Sequence, residues 1–289
     1  MNIKNFKVPT LLVISGPTAV GKTEFAIQLA KQYKTVIISA DSRQFYKEMR
    51  IGTAFPTPEE LNSIPHFFVG NLSIQDYYSV SKYEQEVLQL LTDLFMKHEV
   101  VVMTGGSGLY IDAVCKGIDE LPDPDAEVRK LVVDLFEKEG AEALRNQVRI
   151  LDPEFYQNAD IANYKRLMRA LEVCWQTGKP YSWFLKQTQH VRHFDMAKYY
   201  LNRPREILFD RINKRVDVMM EQGLLDEVKT LYPYKCLNAL NTVGYKELFD
   251  YLDHKMTLEE AVEKIKTHTR RYAKRQLTWF KREFSEIML

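Results

Sequence analysis

The fold is decided by residues 11–23, which read LLVISGPTAVGKT. They begin with an apolar run of the length of a buried strand, and apolar residues recur at helical spacing over 25–30. Between strand and helix, residues 16–23 match the pattern G-x-x-x-x-G-K-[ST] of a phosphate-binding loop. Glycines let the backbone form a concave set of N–H groups, and the helix N-terminus adds partial positive charge. The stretch therefore predicts a site for a diphosphate or triphosphate.

The motif gives each of its polar residues a role. The Lys22 ammonium is expected to reach the outer phosphates, and the Thr23 hydroxyl is expected to bind a Mg²⁺ ion that bridges them. The backbone of the whole loop is expected to take part. The predicted phosphate-binding residues are Gly16, Pro17, Thr18, Ala19, Val20, Gly21, Lys22 and Thr23.

The composition is that of an ordinary globular protein, with 45% hydrophobic and 27% charged residues among 289. The net charge of +1 does not by itself indicate a nucleic-acid or membrane partner. No apolar run has the length of a membrane span and the first residues carry no secretory leader, so no membrane partner is expected. Cys115, Cys174 and Cys236 are few and well separated, which favours a reducing compartment. We expect a cytoplasmic protein.

Strand-like apolar runs alternate with helical patterns through residue 118, which predicts an α/β fold of the P-loop NTPase type. In such a fold a parallel sheet is covered by helices on both faces. Only helical patterns follow across 119–194, and a strand returns at 197–201. We therefore predict a discontinuous P-loop core domain of residues 1–118 and 195–289, with an inserted all-helical domain over 119–194.

Local signals predict finer features of the elements. Ser81 and Glu84 have the spacing of a capping box at the start of an amphipathic helix. Gly140 is expected to end the first helix of the inserted domain. Two long helices are expected over 205–231 and 258–284, where apolar residues recur at helical spacing.

Asp41 directly follows the strand-like run 35–39 and Ala40. Ligands of open α/β sheets collect at the carboxyl ends of strands, so this carboxylate is expected near the phosphate loop. The later strand 100–103 ends without the acid that usually holds Mg²⁺ beside a P-loop. Asp41 is therefore either that acid or a general base directed at a second substrate; capping of the next turn is the remaining alternative. Ser42 and Gln44 add side chains that can hydrogen bond to a base or sugar.

A second glycine-rich turn, Gly-Gly-Ser-Gly, spans residues 105–108 at the end of a strand. It is expected to bring backbone amides and the Ser107 hydroxyl to the same phosphates. Arg211 and Arg215 lie four residues apart on one side of a helical pattern. An arginine in that position suits a charge clamp on a departing phosphate, and a solvated or internally paired arginine fits the same spacing.

Residues 264–282 form a dense basic segment that contains no acid. Its charges are interleaved with Tyr272, Trp279 and apolar residues at helical spacing. Such a run disfavours folding unless an anion meets it, which predicts a track for nucleic-acid phosphates; a solvated face is the alternative. The charged residues are Lys264, Lys266, Arg270, Arg271, Lys274, Arg275, Lys281 and Arg282, with Arg129, Lys165, Arg166 and Arg169 adding a second group in the helical insert.

Taken together, these features resemble the tRNA dimethylallyltransferase (tRNA isopentenyltransferase) family, in its bacterial form. The matching stretches follow the family order and span almost the whole chain. Two positions depart from the family pattern, since Ser107 stands where Thr is more common and Lys165 where Gln is often found. The stretches are residues 16–23, 39–44, 51–54, 105–110, 166–173, 243–245 and 269–279.

The resemblance implies transfer of a dimethylallyl group from dimethylallyl diphosphate to N6 of adenosine 37, beside the anticodon of tRNA. It implies that Asp41 is the general base, that Lys22 holds the diphosphate with Mg²⁺, and that Ser107 and Arg215 stabilise the departing charge. A monomer is expected to bind the anticodon stem-loop. The residues then expected to contact tRNA are Asp41, Ser42, Arg43, Gln44, Ser107, Arg129, Lys165, Arg166, Leu167, Met168, Arg169, Lys274 and Arg275.

Two other functions fit parts of the sequence. The phosphate-binding loop alone equally favours a kinase that acts on a small molecule or nucleotide. An RNA-binding ATPase without transferase activity is a third interpretation. Robust ATP turnover in the absence of RNA would favour the kinase, whereas the transferase is expected to leave ATP intact.

Overall fold

The computed structural model describes residues 9–186 and 190–289. The chain forms two compact units: the first holds the residues through Cys115 together with Val191–Leu289, and the second is Lys116–His190. The opening residues, in which no secretory leader is predicted, lie outside the described residues. Within the described parts of the chain, no helix has both the length and the apolar composition needed to cross a bilayer.

Within the described residues, the first unit is built on a sheet of six strands. These are β1 (Thr10–Ser15), β2 (Ile37–Ser39), β3 (His66–Phe67), β4 (Val100–Gly105), β5 (Asp195–Asn202) and β6 (Ser285–Met288). They lie in the order β3-β2-β4-β1-β5-β6, and every neighbouring pair is parallel. β1 therefore lies inside the sheet, with β4 on one side and β5 on the other.

α-Helices connect the strands of the first unit and form much of the second. The helices that precede β5 are α1 (Lys22–Gln32), α2 (Pro58–Ser63), α3 (Val80–Phe95), α4 (Gly108–Lys116), α5 (Ala126–Leu151), α6 (Pro153–Asn158) and α7 (Tyr164–Thr177). Those that follow β5 are α8 (Arg205–Glu221), α9 (Leu224–Leu231), α10 (Tyr245–Leu252) and α11 (Leu258–Phe280).

Helices cover both faces of the sheet. Leu11 and Val13 of β1 pack in a cluster with residues of α3, whereas Leu12 and Ile14 pack in another with residues of α1 and α8. Because successive side chains of a strand point to opposite faces, this alternation buries the whole of β1. The predicted parallel sheet with helices on both faces is confirmed. The buried strand β1 holds the first residue of the phosphate-binding loop, Gly16, in a fixed position.

Two further apolar clusters complete the packing. One joins α9, α10 and α11 around Tyr245 within the first unit. The other forms the core of the second unit, where α5 and α7 pack around Leu144 and Leu171. Gly140 interrupts α5 with φ +75°, at the position where the sequence predicts that a helix ends.

The two long helices predicted near the end of the chain differ from the structure. Gly223, with φ +96°, divides the predicted helix over 205–231 into α8 and α9, because a left-handed residue cannot continue a helix. The second predicted helix stops at Phe280, before the expected end at 284. The residues after it form β6, an edge strand whose four residues are too few to give a clear alternating pattern.

The start of α3 also differs from the prediction. The capping box at Ser81 and Glu84 is wrong, because both residues lie inside the helix. The N-terminal cap is Ser79, whose hydroxyl oxygen accepts a hydrogen bond of 3.1 Å from the Lys82 N–H. Two serines lie two residues apart here, and the earlier one begins the helix.

Candidate active site

The predicted phosphate-binding loop joins the end of β1 to the start of α1. Gly16 has φ +144°, and a Cβ atom there would lie 2.7 Å from the Leu201 carbonyl oxygen, so only glycine fits beside β5. The loop curls over Lys22, whose ammonium donates hydrogen bonds of 3.0 Å to the carbonyl oxygens of Gly16 and Pro17. The backbone thus holds a cation at the N-terminus of a helix, an arrangement that favours phosphate binding.

The second glycine-rich turn lies directly beside the end of β2. The Ala40 N–H donates to the Thr104 carbonyl oxygen at 2.7 Å, and the Ser107 N–H donates to the Ala40 carbonyl oxygen at 3.2 Å. The Ser107 hydroxyl oxygen accepts a hydrogen bond of 3.0 Å from the Ser42 N–H. Asp41 lies between Ala40 and Ser42, so the fold brings it and Ser107 to the same carboxyl edge of the sheet.

Lys22, Asp41 and Arg215 interact electrostatically between these loops. Burial lowers the pKa of Lys22 to about 8; the carboxylate of Asp41 acts in the opposite direction, and the positive charge of Arg215 lowers it again. Burial also lowers the pKa of Arg215, and the nearby Arg211 adds to this effect. The three cations outnumber the carboxylates of Asp41 and Glu60, which also acts on Arg215, so a bound anion would relieve their repulsion.

Two arginines of α8 contact the first loop. The Arg211 Nε–H donates a hydrogen bond of 2.8 Å to the Ala19 carbonyl oxygen. Arg215 Nη1 lies 3.4 Å from the Thr18 hydroxyl oxygen, to which it donates. Because residues four apart lie on the same side of a helix, both side chains reach the phosphate-binding loop. Arg215 is half-buried against that loop.

Two further side chains hold this loop and were missed by the sequence interpretation. The Arg203 Nε–H donates to the Val20 carbonyl oxygen at 2.8 Å. The Gln276 amide oxygen accepts from the Thr18 N–H at 2.9 Å. Arg203 directly follows the carboxyl end of β5. Ligands of such sheets bind at the carboxyl ends of the strands, so this position indicates a place in the site. A neutral amide inside a basic helix gives no comparable signal.

Arg43 and Gln44, predicted to contact tRNA, hold backbone of the first unit. Arg43 Nη1 donates to the carbonyl oxygens of residues 238–239 at 3.0 and 2.9 Å. Gln44 Nε2 donates to those of residues 53–54 at 3.2 and 3.0 Å. The Arg43 N–H also donates to Asp41 Oδ1 at 3.1 Å, which fixes the turn that carries the carboxylate. These contacts give both side chains a part in shaping the site.

Residues 50–52 are held by the carboxylate of Glu227. It accepts hydrogen bonds from all three backbone N–H groups, at 2.9, 2.8 and 3.1 Å, and another of 2.7 Å from the Tyr245 hydroxyl. A Cβ atom on Gly52 would lie 2.5 Å from the Tyr245 ring, so the close approach requires glycine. Two of the stretches that carry the family resemblance, 51–54 and 243–245, thus form one structural unit.

The family model for IPP transferases matches residues 44–283. The chain belongs to the IPP transferase family. It is 54% identical over 276 residues to tRNA dimethylallyltransferase 1 of Bacteroides thetaiotaomicron, and the match covers 96% of this chain and 90% of that protein. The predicted family resemblance is therefore confirmed, and the relatives do not favour the kinase alternative.

Solved structures agree with the family assignment. The tRNA isopentenylpyrophosphate transferase of Bacillus halodurans is 35% identical, with a TM-score of 0.69 and coverage of 97% of this chain and 89% of that one. A eukaryotic dimethylallyltransferase, solved in the course of its reaction on tRNA, is 28% identical. Its TM-score is 0.78, and the match covers 96% of this chain and 73% of that one.

The basic helix of this IPP transferase, α11, changes character along its length. Lys266 forms ion pairs of 2.8 Å with Asp217 of α8 and 3.0 Å with Glu263, so the acids of the protein neutralise part of the segment. Lys274 and Arg275 are exposed, and neither forms an ion pair with any other described residue. Two of its cations therefore remain available to a polyanion.

In the second unit, two of the arginines that are predicted to contact tRNA form ion pairs with one buried carboxylate. Glu172 forms ion pairs of 3.2 Å with Arg169 and 3.7 Å with Arg129. Arg169 also donates a hydrogen bond of 2.6 Å to the Pro122 carbonyl oxygen. Glu172 is only 5% exposed, so its negative charge is costly to bury and the two arginines offset that cost. Arg129 and Arg169 therefore stabilise the second unit in addition to any contact they make with RNA.

The remaining predicted contacts of the second unit differ in exposure. Lys165 and Arg166 are exposed at the start of α7, where the Arg166 guanidinium lies 5.4 Å from the centre of the Phe155 ring. Met168 is partly buried against the core. Leu167 requires a correction, because it is completely buried among apolar residues of α5 and α7 and is not accessible to nucleic acid.

Proposed function

We propose that this protein transfers a dimethylallyl group from dimethylallyl diphosphate to N6 of adenosine 37, next to the anticodon of tRNA, and releases diphosphate. The observation that carries the proposal is the meeting of Lys22, Asp41, Ser107 and Arg215 where two glycine-rich loops adjoin. Membership of the IPP transferase family and the named activity of the relatives support it.

Each of these side chains has a part in the reaction. The adenine N6 forms a bond to the allylic carbon, the bond from that carbon to the diphosphate oxygen breaks, and its electron pair leaves with the diphosphate. The proton released from N6 passes to the carboxylate of Asp41, which acts as a general base. Lys22, Ser107 and Arg215 stabilise the charge that grows on the leaving group. The adenine leaves its stack to reach Asp41, as other base-modifying enzymes require.

The residues of the first loop fit a Mg²⁺ ion that enters with the diphosphate. The Thr23 hydroxyl lies next to Lys22 and has no hydrogen-bond partner among the described residues, so its oxygen is free to bind a cation. Residues 9–186 and 190–289 contain no group of three or more acid, histidine or cysteine side chains suited to a metal. Magnesium commonly takes one or two protein ligands together with phosphate oxygens and water. When bound, it neutralises charge on the diphosphate.

The proposed partners are the tRNA anticodon stem-loop and dimethylallyl diphosphate. Lys274 and Arg275 of the first unit, with Arg129, Lys165, Arg166, Met168 and Arg169 of the second, are proposed to contact the RNA. The three cysteines are free thiols, which accords with the cytoplasm where tRNA is modified. Action as a monomer stays a prediction.

The direct test is incubation of the purified protein with unmodified tRNA, Mg²⁺ and dimethylallyl diphosphate, followed by mass analysis of the digested nucleosides. We expect one adenosine per tRNA to gain a dimethylallyl group, and inorganic diphosphate to compete with the prenyl donor. ATP turnover without RNA, combined with an unmodified adenosine, would instead establish the kinase or ATPase alternative.

The reaction is expected to lose rate at alkaline pH because Lys22 loses its proton. Since burial lowers its pKa to about 8, the ammonium is charged below that pH and increasingly neutral above it. We expect kcat/KM for dimethylallyl diphosphate to fall about tenfold per pH unit above pH 8, because kcat/KM reports the free enzyme. Initial rates between pH 6.5 and about 9.5 measure this. The Lys22→Arg variant keeps its charge, so its profile should lack the fall; an identical profile would exclude Lys22 as the cause.

Neutralisation of the exposed end of α11 is expected to weaken tRNA binding. Lys274→Gln with Arg275→Gln removes two cations, which should reduce the slope of log K against log salt by about 2 if each meets a phosphate. Fluorescence titration of tRNA at several salt concentrations measures the slope. The control pair, Lys31→Gln with Lys97→Gln, removes two exposed lysines from the opposite edge of the sheet. If Lys274→Gln with Arg275→Gln leaves the salt slope unchanged, the exposed side of α11 is an ordinary solvated surface.

A further inference from the structure

Gln276 is a buried amide on the basic helix. It is only 6% exposed, although its neighbours Lys274 and Arg275 are exposed. Its amide oxygen accepts a hydrogen bond of 2.9 Å from the Thr18 N–H of the first loop. Its Nε2 donates one of 2.9 Å to the Gly106 carbonyl oxygen of the second glycine-rich turn. A single side chain therefore joins the two loops that carry the site.

The Gly106 side of this bridge leaves no room for a side chain. A Cβ atom on Gly106 would lie 2.3 Å from Gln276 Nε2 and 3.8 Å from Lys22 Nζ. Each end of the bridge adjoins a proposed catalytic residue. Ser107 directly follows Gly106, and the Thr18 hydroxyl accepts a hydrogen bond from Arg215. The bridge thus fixes the backbone immediately next to the groups that surround the leaving diphosphate.

Tyr272 lies one helical turn before Gln276 and hydrogen bonds to it. Burial raises the pKa of Tyr272 to about 12, and the nearby Asp41 carboxylate adds to the rise, while Arg43, Arg275 and the hydrogen bond to Gln276 oppose it. The phenol is therefore neutral at physiological pH. Side chains of α11 thus lie beside Asp41 as well as beside both loops.

We propose that Gln276 is a positioning residue, which sets the spacing between the phosphate-binding loop and the second glycine-rich turn. The inference rests on the proposed function only for the identity of the substrate. The oxygen and the nitrogen of the amide each bond to the backbone of one loop. The amide acts through Thr18 and Gly106, so that Lys22 and Ser107 meet one diphosphate from two sides. A buried bridge is suited to this task because both its donor and its acceptor are satisfied only when the loops have one separation.

The first test replaces the amide with an apolar side chain of similar length. In Gln276→Met both hydrogen bonds are lost, and a small displacement of catalytic groups costs as much as about a hundredfold in rate. We expect kcat/KM for dimethylallyl diphosphate to fall about 10- to 100-fold and the Kd of inorganic diphosphate to rise about tenfold. Affinity for tRNA should be unchanged. Isothermal calorimetry with inorganic diphosphate and Mg²⁺ supplies a readout that does not depend on transfer activity.

The matched control separates positioning from loss of stability. Ile265 is buried on the same helix but packs with α9 and α10, away from both loops. Ile265→Ala is expected to lower the melting temperature while leaving the Kd of diphosphate unchanged in the folded protein. If Gln276→Met behaves in the same way as this control, Gln276 has only a structural role and the proposal is overturned.

A second variant approaches the bridge from the other side. In Gly106→Ala the new methyl group meets Gln276 Nε2, so the amide is displaced and diphosphate affinity should fall about tenfold. With Gln276→Ala in the same chain the clash is absent, and the double variant should bind no more weakly than Gln276→Ala alone. Additive losses would contradict the proposal. If the wild-type protein binds diphosphate but transfers no prenyl group, the proposed function is refuted. The diphosphate affinities of the Gly106 and Gln276 variants would still test the role of Gln276.

Discussion

Asp41→Asn is expected to lower kcat for prenyl transfer by about 10²- to 10⁴-fold, the range that general bases contribute. The asparagine has the shape of the native side chain, and its amide oxygen can still accept the hydrogen bond from the Arg43 N–H. The turn that carries the side chain should therefore survive, and only the capacity to take the N6 proton is lost. Affinity for tRNA should change less than about threefold, since no charge of the basic surface is removed.

Single-turnover measurements with enzyme and tRNA in excess over prenyl donor isolate this step from product release. They are best made at or below pH 7, because the pKa of Lys22 is about 8 and the loss of a neighbouring carboxylate lowers it further. Lys97→Gln is a suitable comparison, because it changes an exposed residue at the opposite edge of the sheet while leaving the carboxylate in place. A variant that turns over at the native rate but binds tRNA weakly would refute the assignment of Asp41 as the base.

Arg215→Gln is expected to reduce the rate of transfer by about 10²- to 10³-fold, the loss that follows removal of one group stabilising a developing anion. The side chain reaches the Thr18 hydroxyl and interacts with Lys22 and Asp41, so its charge lies beside the proposed site of the diphosphate. The effect should be greater on kcat than on the Kd of the prenyl donor, because the charge on the bridging oxygen grows as its bond to carbon breaks.

Arg205→Gln provides the matched control on the same helix. Arg205 is exposed at the first turn of α8, where its guanidinium lies 5.0 Å from the centre of the Phe209 ring. Its replacement should leave the rate within about twofold of the native value. Arg215→Lys restores the charge without the planar fork and should recover part of the loss. Equal rates for Arg215→Gln and Arg205→Gln would show that Arg215 has no part in the chemistry.

The parts of the site that sequence predicts well are those with short-range signals. The strand, the loop and the helix around Lys22 follow from one continuous pattern, and Asp41 follows from its place after a strand in a parallel sheet. The same reasoning predicts the position of Ser107, which follows the end of β4. In each case the local rule and the fold agree, because every strand of the sheet runs in the same direction.

The parts that were missed depend on contacts between distant segments. Gln276 carries no charge, and its importance depends on the approach of two loops that lie far from it in sequence. The family resemblance places Leu167 among the predicted tRNA contacts, although its spacing from Leu171 and Cys174 is that of a buried helix face. Hydrophobic periodicity is the more reliable guide when an apolar residue lies among charges.

The strand order has a consequence for how the protein is made on the ribosome. β1 pairs with β5, so that Thr10 lies opposite Asp195, and the whole of Lys116–His190 is translated between them. A nascent chain that already contains the glycine-rich loops still lacks Arg215 and Gln276. Pairings between such distant segments form slowly and leave partly folded states exposed. Affinity for the proposed prenyl donor is thus expected to be acquired late in synthesis, after most of the polypeptide has emerged.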